Sequence, residues 1–67
     1  MWAVLDYDDE TVIGLYAPDV PEDVRLKDAE GRKQILMTLE NSPAYINGLY
    51  VNGKFYKGKN DKGELYA

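Results

Sequence analysis

Two short apolar runs, at 2–6 and 11–16, predict a β-hairpin at the start of the chain. The polar segment between them contains two Asp residues, which favour type I turns because their carboxylates bond to nearby backbone amides. Closing the chain on that segment pairs Leu5 with Val12. This register predicts one apolar face that holds Trp2, Val4, Ile13 and Leu15. The opposite face is also apolar, so we expect cover on both faces of the hairpin.

Residues 24–41 fit either of two secondary structures. In the first, a helix runs from Asp28 to about Asn41. Its stripe consists of Arg32, Ile35, Leu36 and Leu39. In the second, Gly31 closes a turn between a strand at 24–27 and a later strand. The apolar face of the later strand then consists of Ile35, Met37 and Leu39. The residue types favour the helix, which we adopt as the prediction.

The last third of the chain predicts two further hairpins. Asn52-Gly53 is a strong type I′ turn signal, since that turn needs positive φ at both central residues, and it pairs Tyr50 with Phe55. Residues 60–63 predict a type I turn with a glycine bulge. The whole pattern predicts a single small domain, 1–67, with an α+β fold in which two layers form a ββ-α-βββ order with an antiparallel sheet. A small all-β barrel is the alternative.

The composition argues against an enzyme. The 67 residues include no Cys and no His, so the chain has no disulfide, no Cys/His zinc site, and no imidazole or thiolate catalyst. Its only serine, Ser42, has no base near it in the sequence. A domain of this size has little room for a concave pocket. We therefore expect no catalytic residue, no metal ion and no cofactor.

Charge is distributed unevenly within a net charge of −4. Residues 1–30 hold nine acidic and two basic side chains, whereas 45–67 hold four Lys and two acidic side chains. The densest acidic spot is the tip of the predicted hairpin, formed by Asp8, Asp9 and Glu10. A calcium loop of the EF-hand type is excluded there, because Thr11 and Ala17 occupy the positions that need Gly and Glu. The tip is a candidate contact for a protein partner, or a solvated end that prevents edge-to-edge aggregation.

Aromatic and Lys side chains are interleaved along the C-terminal segment. Six Tyr in so short a chain cannot all be fully buried, and exposed Tyr is a favourable interface residue. The candidate contacts with a protein partner are Tyr50, Phe55 and Tyr56. The alternative is nucleic-acid binding by base stacking and phosphate neutralisation, with Lys54, Lys57 and Lys59. The net negative charge disfavours nucleic acid, and cross-strand packing explains the aromatic residues without any ligand.

Two segments of the chain resemble SH3 domains. Ala3-Val4-Leu5-Asp6-Tyr7 is similar to their first-strand motif, and 44–51 (AYINGLYV) is similar to their closing segment. The resemblance implies an SH3-like barrel, which is the all-β alternative. It implies no site for proline-rich peptides, because the paired tryptophans of that groove are missing and Asn47 stands in place of the proline. The chain also continues well past the point where an SH3 domain would end.

The apolar runs are far shorter than the roughly 20 residues that span a bilayer. The start of the chain has no basic segment ahead of an apolar stretch, as a signal peptide would. We therefore expect a cytoplasmic protein with no membrane contact. The resulting hypothesis is a small non-catalytic protein-binding module, an inhibitor or accessory subunit, that acts by surface contact. Self-association that completes a thin core is an open alternative.

Overall fold

The first half of the chain forms a three-stranded antiparallel sheet and one helix, and the second half forms two short hairpins. The computed structural model describes all residues, 1–67. The elements in chain order are β1 (Trp2–Leu5), β2 (Val12–Tyr16), α1 (Glu22–Ala29), β3 (Gln34–Leu36), β4 (Leu49–Val51), β5 (Lys54–Tyr56), β6 (Gly58–Lys59) and β7 (Leu65–Tyr66). The first sheet has the strand order β2-β1-β3, while β4-β5 and β6-β7 are separate two-stranded sheets.

The predicted hairpin of β1 and β2 is present, but its register changes part-way along. Leu5 pairs with Val12 as predicted, whereas Val4 pairs with Gly14 because the register shifts between Val4 and Leu5. Such a β-bulge leaves one residue of the longer strand unpaired, and here that residue is Ile13, which is 40% exposed. The single apolar face predicted for Trp2, Val4, Ile13 and Leu15 is therefore wrong.

The helix lies earlier in the chain than predicted. The predicted helix began at Asp28, whereas α1 runs from Glu22 to Ala29 and ends there. Glu30 and Gly31, with φ of 52° and 83°, both adopt left-handed backbone conformations that stop the helix. The two acids of the first turn favour the helix start, because the N-terminal end of the helix dipole is positive.

The predicted helical stretch contains strand β3 instead. Ile35 and Met37 pack against the buried core, as the strand alternative predicted. Leu39 does not join them, because it lies beyond the strand and is fully exposed. The strand alternative was also wrong at 24–27, since those residues belong to α1. The helix predicted from Asp28 to about Asn41 is therefore absent beyond Ala29, and of the strand alternative only the later strand is present.

One face of the first sheet carries the apolar core. The buried cluster consists of Ala3, Leu5, Val12 and Phe55. Phe55 comes from β5, so the β4–β5 hairpin covers this face. Two backbone hydrogen bonds join the segment before β4 to the start of β2: Val12 N–H donates to the Gly48 carbonyl at 2.9 Å, and Asn47 N–H donates to the Val12 carbonyl at 2.7 Å.

The helix lies on the opposite face, where polar contacts predominate. Arg25 is 9% exposed, its guanidinium carbon lies 4.2 Å from the centre of the Trp2 ring, and its Nη1 donates to Gln34 Oε1 at 2.8 Å. Nearer the end of the helix, the Tyr16 hydroxyl donates to Asp28 Oδ2 at 2.5 Å. Both faces of the first sheet are thus covered, as expected.

The two C-terminal hairpins match their predictions. Asn52 and Gly53 have φ of 51° and 83°, and Tyr50 pairs with Phe55. In the last hairpin, Gly63 has φ of 79° and its N–H donates to the carbonyl of the first residue of the 60–63 turn at 2.9 Å. Local turn residues therefore define the geometry of this third of the chain.

The coarse prediction of an α+β fold with antiparallel sheets and one short helix is confirmed. The ββ-α-βββ order is not reproduced, because five strands follow the helix. The SH3-like barrel is not formed either, since the strands are divided among three separate sheets. No helix in the chain has the length and apolar character needed to cross a bilayer.

Candidate functional site

The predicted acidic tip is a hydrogen-bonded turn built around Asp8. Its Oδ1 accepts hydrogen bonds from the backbone N–H groups of Glu10 and Thr11 at 2.9 and 2.8 Å, and its Oδ2 accepts one from the Thr11 hydroxyl at 2.6 Å. The bond from the Thr11 hydroxyl and those from the two backbone N–H groups hold the pKa of Asp8 below its usual value. The Asp8 carboxylate therefore stabilises the turn, which accounts for its presence without any ligand.

The other two acids of the tip differ in exposure. Asp9 is exposed and has φ of 57°, whereas Glu10 is half-buried and its carbonyl accepts a hydrogen bond from Tyr50 N–H at 2.8 Å. That bond brings the acidic tip next to β4, so two of the predicted contact sets adjoin. No group of three or more His, Cys, Asp or Glu side chains is placed to hold a metal ion. A partner contact at Asp8, Asp9 and Glu10 stays a prediction.

The three aromatic candidates are divided between core and surface. Phe55 is 5% exposed, and its ring centre lies 4.8 Å from that of Tyr50, with the ring planes tilted by 48°. Tyr50 packs against the same core cluster. Tyr56 pairs with Leu49 and is half-buried. Phe55 is therefore part of the core, whereas Tyr50 and Tyr56 keep part of their surface exposed. A partner contact at these three residues stays a prediction.

The lysines predicted for nucleic acid are all exposed, but one of the aromatic rings among them is buried. Lys57 Nζ lies 5.3 Å from the centre of the Tyr45 ring, which is within range of a cation–π interaction. Phe55 is buried, so it offers no ring face to a base. Binding of nucleic acid by Lys54, Lys57 and Lys59 stays a prediction with no structural observation in its favour.

An apolar surface lies at the end of the first sheet away from the acidic tip. Trp2 pairs with Leu36, and Met37 N–H donates to the Met1 carbonyl at 2.9 Å, so the start of β1 and the end of β3 are side by side. Met1 and Leu36 are 45% and 50% exposed, and Leu39, three residues further on, is fully exposed. We refer to Met1, Leu36 and Leu39 as the Leu39 surface.

Leu39 lies on an ordered turn. Thr38 N–H donates to Asn41 Oδ1 at 2.7 Å, and Asn41 N–H donates to Thr38 Oγ1 at 3.2 Å. Ser42 N–H donates to the Thr38 carbonyl at 3.0 Å, and Asn41 Nδ2 donates to the Leu36 carbonyl at 3.1 Å. These four bonds fix the backbone on both sides of Leu39 and tie the turn to β3. The leucine side chain is therefore displayed from an ordered backbone.

Sequence reasoning missed the Leu39 surface because it assigned Leu39 to a regular element. The helix interpretation and the strand interpretation both gave Leu39 an inward-facing position. A signal was present in the neighbouring Thr38, Asn41 and Ser42, whose short polar side chains favour local backbone hydrogen bonds over helix or sheet. Apolar character outweighed that signal, although an isolated apolar residue among turn formers is often exposed.

Three surfaces are thus available for contact: the acidic tip, the half-buried tyrosines of the β4–β5 hairpin, and the Leu39 surface. Comparisons with protein-family models, with curated proteins and with solved structures find no match for this chain. The choice among the three surfaces is therefore argued from their geometry. The Leu39 surface combines the highest exposure with apolar character and an ordered backbone.

Proposed function

We propose that the chain is a small non-catalytic protein-binding module, an inhibitor or accessory subunit, that docks through the Leu39 surface. The observation that carries this proposal is the fully exposed Leu39 on a turn held by four hydrogen bonds. Binding costs less conformational entropy when the contact residue already has an ordered backbone. Burying one leucine side chain contributes about 2 kcal/mol, which is the size of a binding hot spot.

The distribution of apolar side chains supports contact by a surface. Six apolar residues are buried, whereas nine large apolar side chains are at least 40% exposed. Three of those nine, Met1, Leu36 and Leu39, lie at one end of the first sheet. Scattered exposed apolar residues are normal, so the support comes from the position of these three at one end of the sheet and from the ordered turn that carries Leu39.

The expected partner is a protein that offers an apolar pocket bordered by basic side chains. Glu40 follows Leu39 in the turn and is exposed, and the chain carries a net charge of −4. Complementary charge at the rim of an interface mainly raises the association rate and selects the partner. The acidic tip lies beyond the other end of β1, a distance of about 13 Å along the strand, so it lies outside this contact.

The proposal is tested by comparing Leu39→Ser with Leu26→Ser. Leu26 is 58% exposed on α1 and lies outside the Leu39 surface, so it controls for loss of an exposed leucine. The full chain is immobilised and exposed to a lysate of the organism that encodes it, and recovered proteins are quantified by mass spectrometry. Affinity for a recovered protein should fall at least tenfold in Leu39→Ser and stay unchanged in Leu26→Ser.

Two results would contradict the proposal. Equal recovery of the same partner by both variants would show that Leu39 is not a contact. The second result is a wild-type protein that sediments as a dimer at micromolar concentration together with a Leu39→Ser variant that sediments as a monomer. In that case the surface would be occupied by a second copy of the chain rather than by another protein.

A further inference from the structure

A cavity of about 250 Å³ lies between β2 and α1, open to solvent on one side. It is formed by parts of β1, β2, the end of the helix and the loop that follows. Its lining includes Val4, Ile13, Gly14, Tyr16, Asp28 and Arg32. Pockets for drug-sized ligands span roughly 300 to 1,000 Å³, so this cavity matches a smaller molecule. It is separate from the Leu39 surface.

Gly14 lines the cavity and has open space where a side chain would lie. A Cβ atom added to Gly14 would have no atom within 4 Å, and the backbone there is not in the left-handed region. The backbone conformation therefore does not require glycine at this position. Glycine within a strand weakens it, and it often marks a place where a ligand or another chain approaches closely. Here no other part of the chain occupies the space.

The walls carry one carboxylate and one guanidinium with unused hydrogen-bonding capacity. Asp28 Oδ2 accepts a hydrogen bond from the Tyr16 hydroxyl at 2.5 Å, and Asp28 Oδ1 accepts none. Arg32 Nη1 donates to the Ala29 carbonyl at 3.2 Å. Its buried Nε lies 3.8 Å from Asp6 Oδ1 in an ion pair, and its guanidinium carbon lies 4.5 Å from the centre of the Tyr7 ring. Nη2 is therefore the nitrogen that keeps its hydrogen-bonding capacity.

We propose that this cavity binds a free α-amino acid with an aliphatic side chain. The ammonium group of the ligand would bond to the Asp28 carboxylate and its carboxylate to the Arg32 guanidinium. The aliphatic side chain would fill the space over Gly14, beside Val4 and Ile13. Opposite charges on the two walls match a zwitterion, because charge-assisted hydrogen bonds form at both ends of the ligand. A ligand that carries only a negative or only a positive charge would bond to only one of these two side chains.

The test uses three related probes with the full-length chain. Leucine carries both charges, N-acetylleucine lacks the ammonium and represents a peptide C-terminus, and leucine amide lacks the carboxylate and represents a peptide N-terminus. Each is titrated to about 20 mM, a range that suits the weak binding of very small ligands, while backbone amide NMR signals are followed. Leucine should produce saturable shifts at Gly14, Tyr16, Ala29 and Arg32. Its affinity should exceed that of each analogue at least fivefold.

Variants locate the site. Gly14→Val fills the cavity and should abolish the leucine-dependent shifts. If Gly14→Val does not fold, Gly14→Ala, which adds only one methyl group, takes its place in the test and should weaken those shifts. Asp28→Asn should reduce leucine affinity at least fivefold. Glu30→Gln removes a nearby carboxylate that does not line the cavity, so it should leave the affinity unchanged.

Several results would overturn the assignment. An absence of saturable shifts with leucine would exclude the site. Equal affinity for leucine and N-acetylleucine would exclude the ammonium contact, and equal affinity for leucine and leucine amide would exclude the carboxylate contact. Unchanged affinity in Asp28→Asn, or shifts confined to residues outside the cavity, would also contradict it.

Discussion

The guanidinium carbon of Arg25 lies 4.2 Å from the centre of the Trp2 ring, and this contact joins α1 to the first sheet. Arg25 is only 9% exposed, yet the one salt bridge in the chain joins Arg32 to Asp6. The Arg25 Nε has no hydrogen-bond partner. Its charge is therefore stabilised by the ring face and by the Gln34 side-chain oxygen rather than by a carboxylate.

We expect Arg25→Ala to lower the free energy of unfolding by about 2 kcal/mol, because it removes both the cation–π contact and the apolar stem that covers the sheet. Arg25→Met keeps a long apolar side chain against Trp2 and removes a buried charge that has no carboxylate partner. Arg25→Met should therefore lower the free energy of unfolding by less than half as much as Arg25→Ala does. Urea denaturation of the three proteins measures both effects.

Lys27→Ala, on the exposed side of the same helix, should change the free energy of unfolding by less than about 0.5 kcal/mol. Equal urea midpoints for Arg25→Ala and Lys27→Ala would show that the contact does not stabilise the fold.

Asp8 makes the stability of the N-terminal hairpin depend on acid pH. Hydrogen bonds from Thr11 and Glu10 lower its pKa in the folded state relative to the unfolded value of about 3.9. The stabilisation is therefore complete above pH 3.9 and is lost as the pH falls through the lower, folded-state pKa. Asp8→Asn, whose amide nitrogen cannot accept the Thr11 hydroxyl bond, should have a lower melting temperature at pH 7.

The difference in melting temperature between wild type and Asp8→Asn should shrink between pH 4 and pH 2. Asp19→Asn makes the same chemical change at an exposed carboxylate that accepts no hydrogen bond, so its melting curve should follow that of the wild type throughout. A difference between Asp8→Asn and wild type that is constant from pH 7 to pH 2 would contradict the assigned role of the ionised carboxylate.

The parts of the fold that sequence predicted correctly depend on local interactions. Asn52-Gly53 adopts the positive φ values that its residue types favour, and the pairing of Tyr50 with Phe55 follows from that turn. The parts of the fold that were predicted wrongly depend on interactions between residues that are far apart in the sequence. Gln34–Leu36 has residue types that favour helix, but it pairs with β1, and that pairing outweighs the local preference.

The candidate sites show the same division. Asp8 was correctly located at a turn because the turn is local, whereas the burial of Phe55 depends on packing against Leu5 and Val12, which are far away in sequence. The exposure of Leu39 could not be read from its apolar character, since that character predicts burial. It depends on the pairing of β3 with β1, which ends just before the turn.

Gly48 is a position where any side chain would collide with the backbone. A Cβ atom added there would overlap the Tyr56 carbonyl oxygen and lie 2.9 Å from the Tyr45 carbonyl oxygen. Backbone atoms cannot move aside as a flexible side chain can, so Gly48→Ala should lower the free energy of unfolding by at least about 2 kcal/mol.

Gly14→Ala is the matched control, because its Cβ would meet no atom within 4 Å. It should leave the stability unchanged or slightly raised, as urea denaturation would show. Similar losses in both variants would mean that the close approach at Gly48 does not exist in solution.

Tyr16 should contribute stability that is lost at alkaline pH. The hydrogen bond to Asp28, followed by burial and the negative charge of Asp28, raises the pKa of Tyr16 above its ordinary value of about 10. Its stabilisation is therefore complete below pH 10 and is lost as the pH rises through the folded-state pKa. Tyr16→Phe should be less stable than wild type by about 1 kcal/mol at pH 7. This difference in the free energy of unfolding should narrow above pH 10, as urea denaturation at pH 7 and pH 11 would measure.

Tyr66→Phe removes an exposed hydroxyl that makes no hydrogen bond, so it controls for the general effect of alkali on tyrosines. A difference of the same size at both pH values would show that the Tyr16 proton is not shared with Asp28.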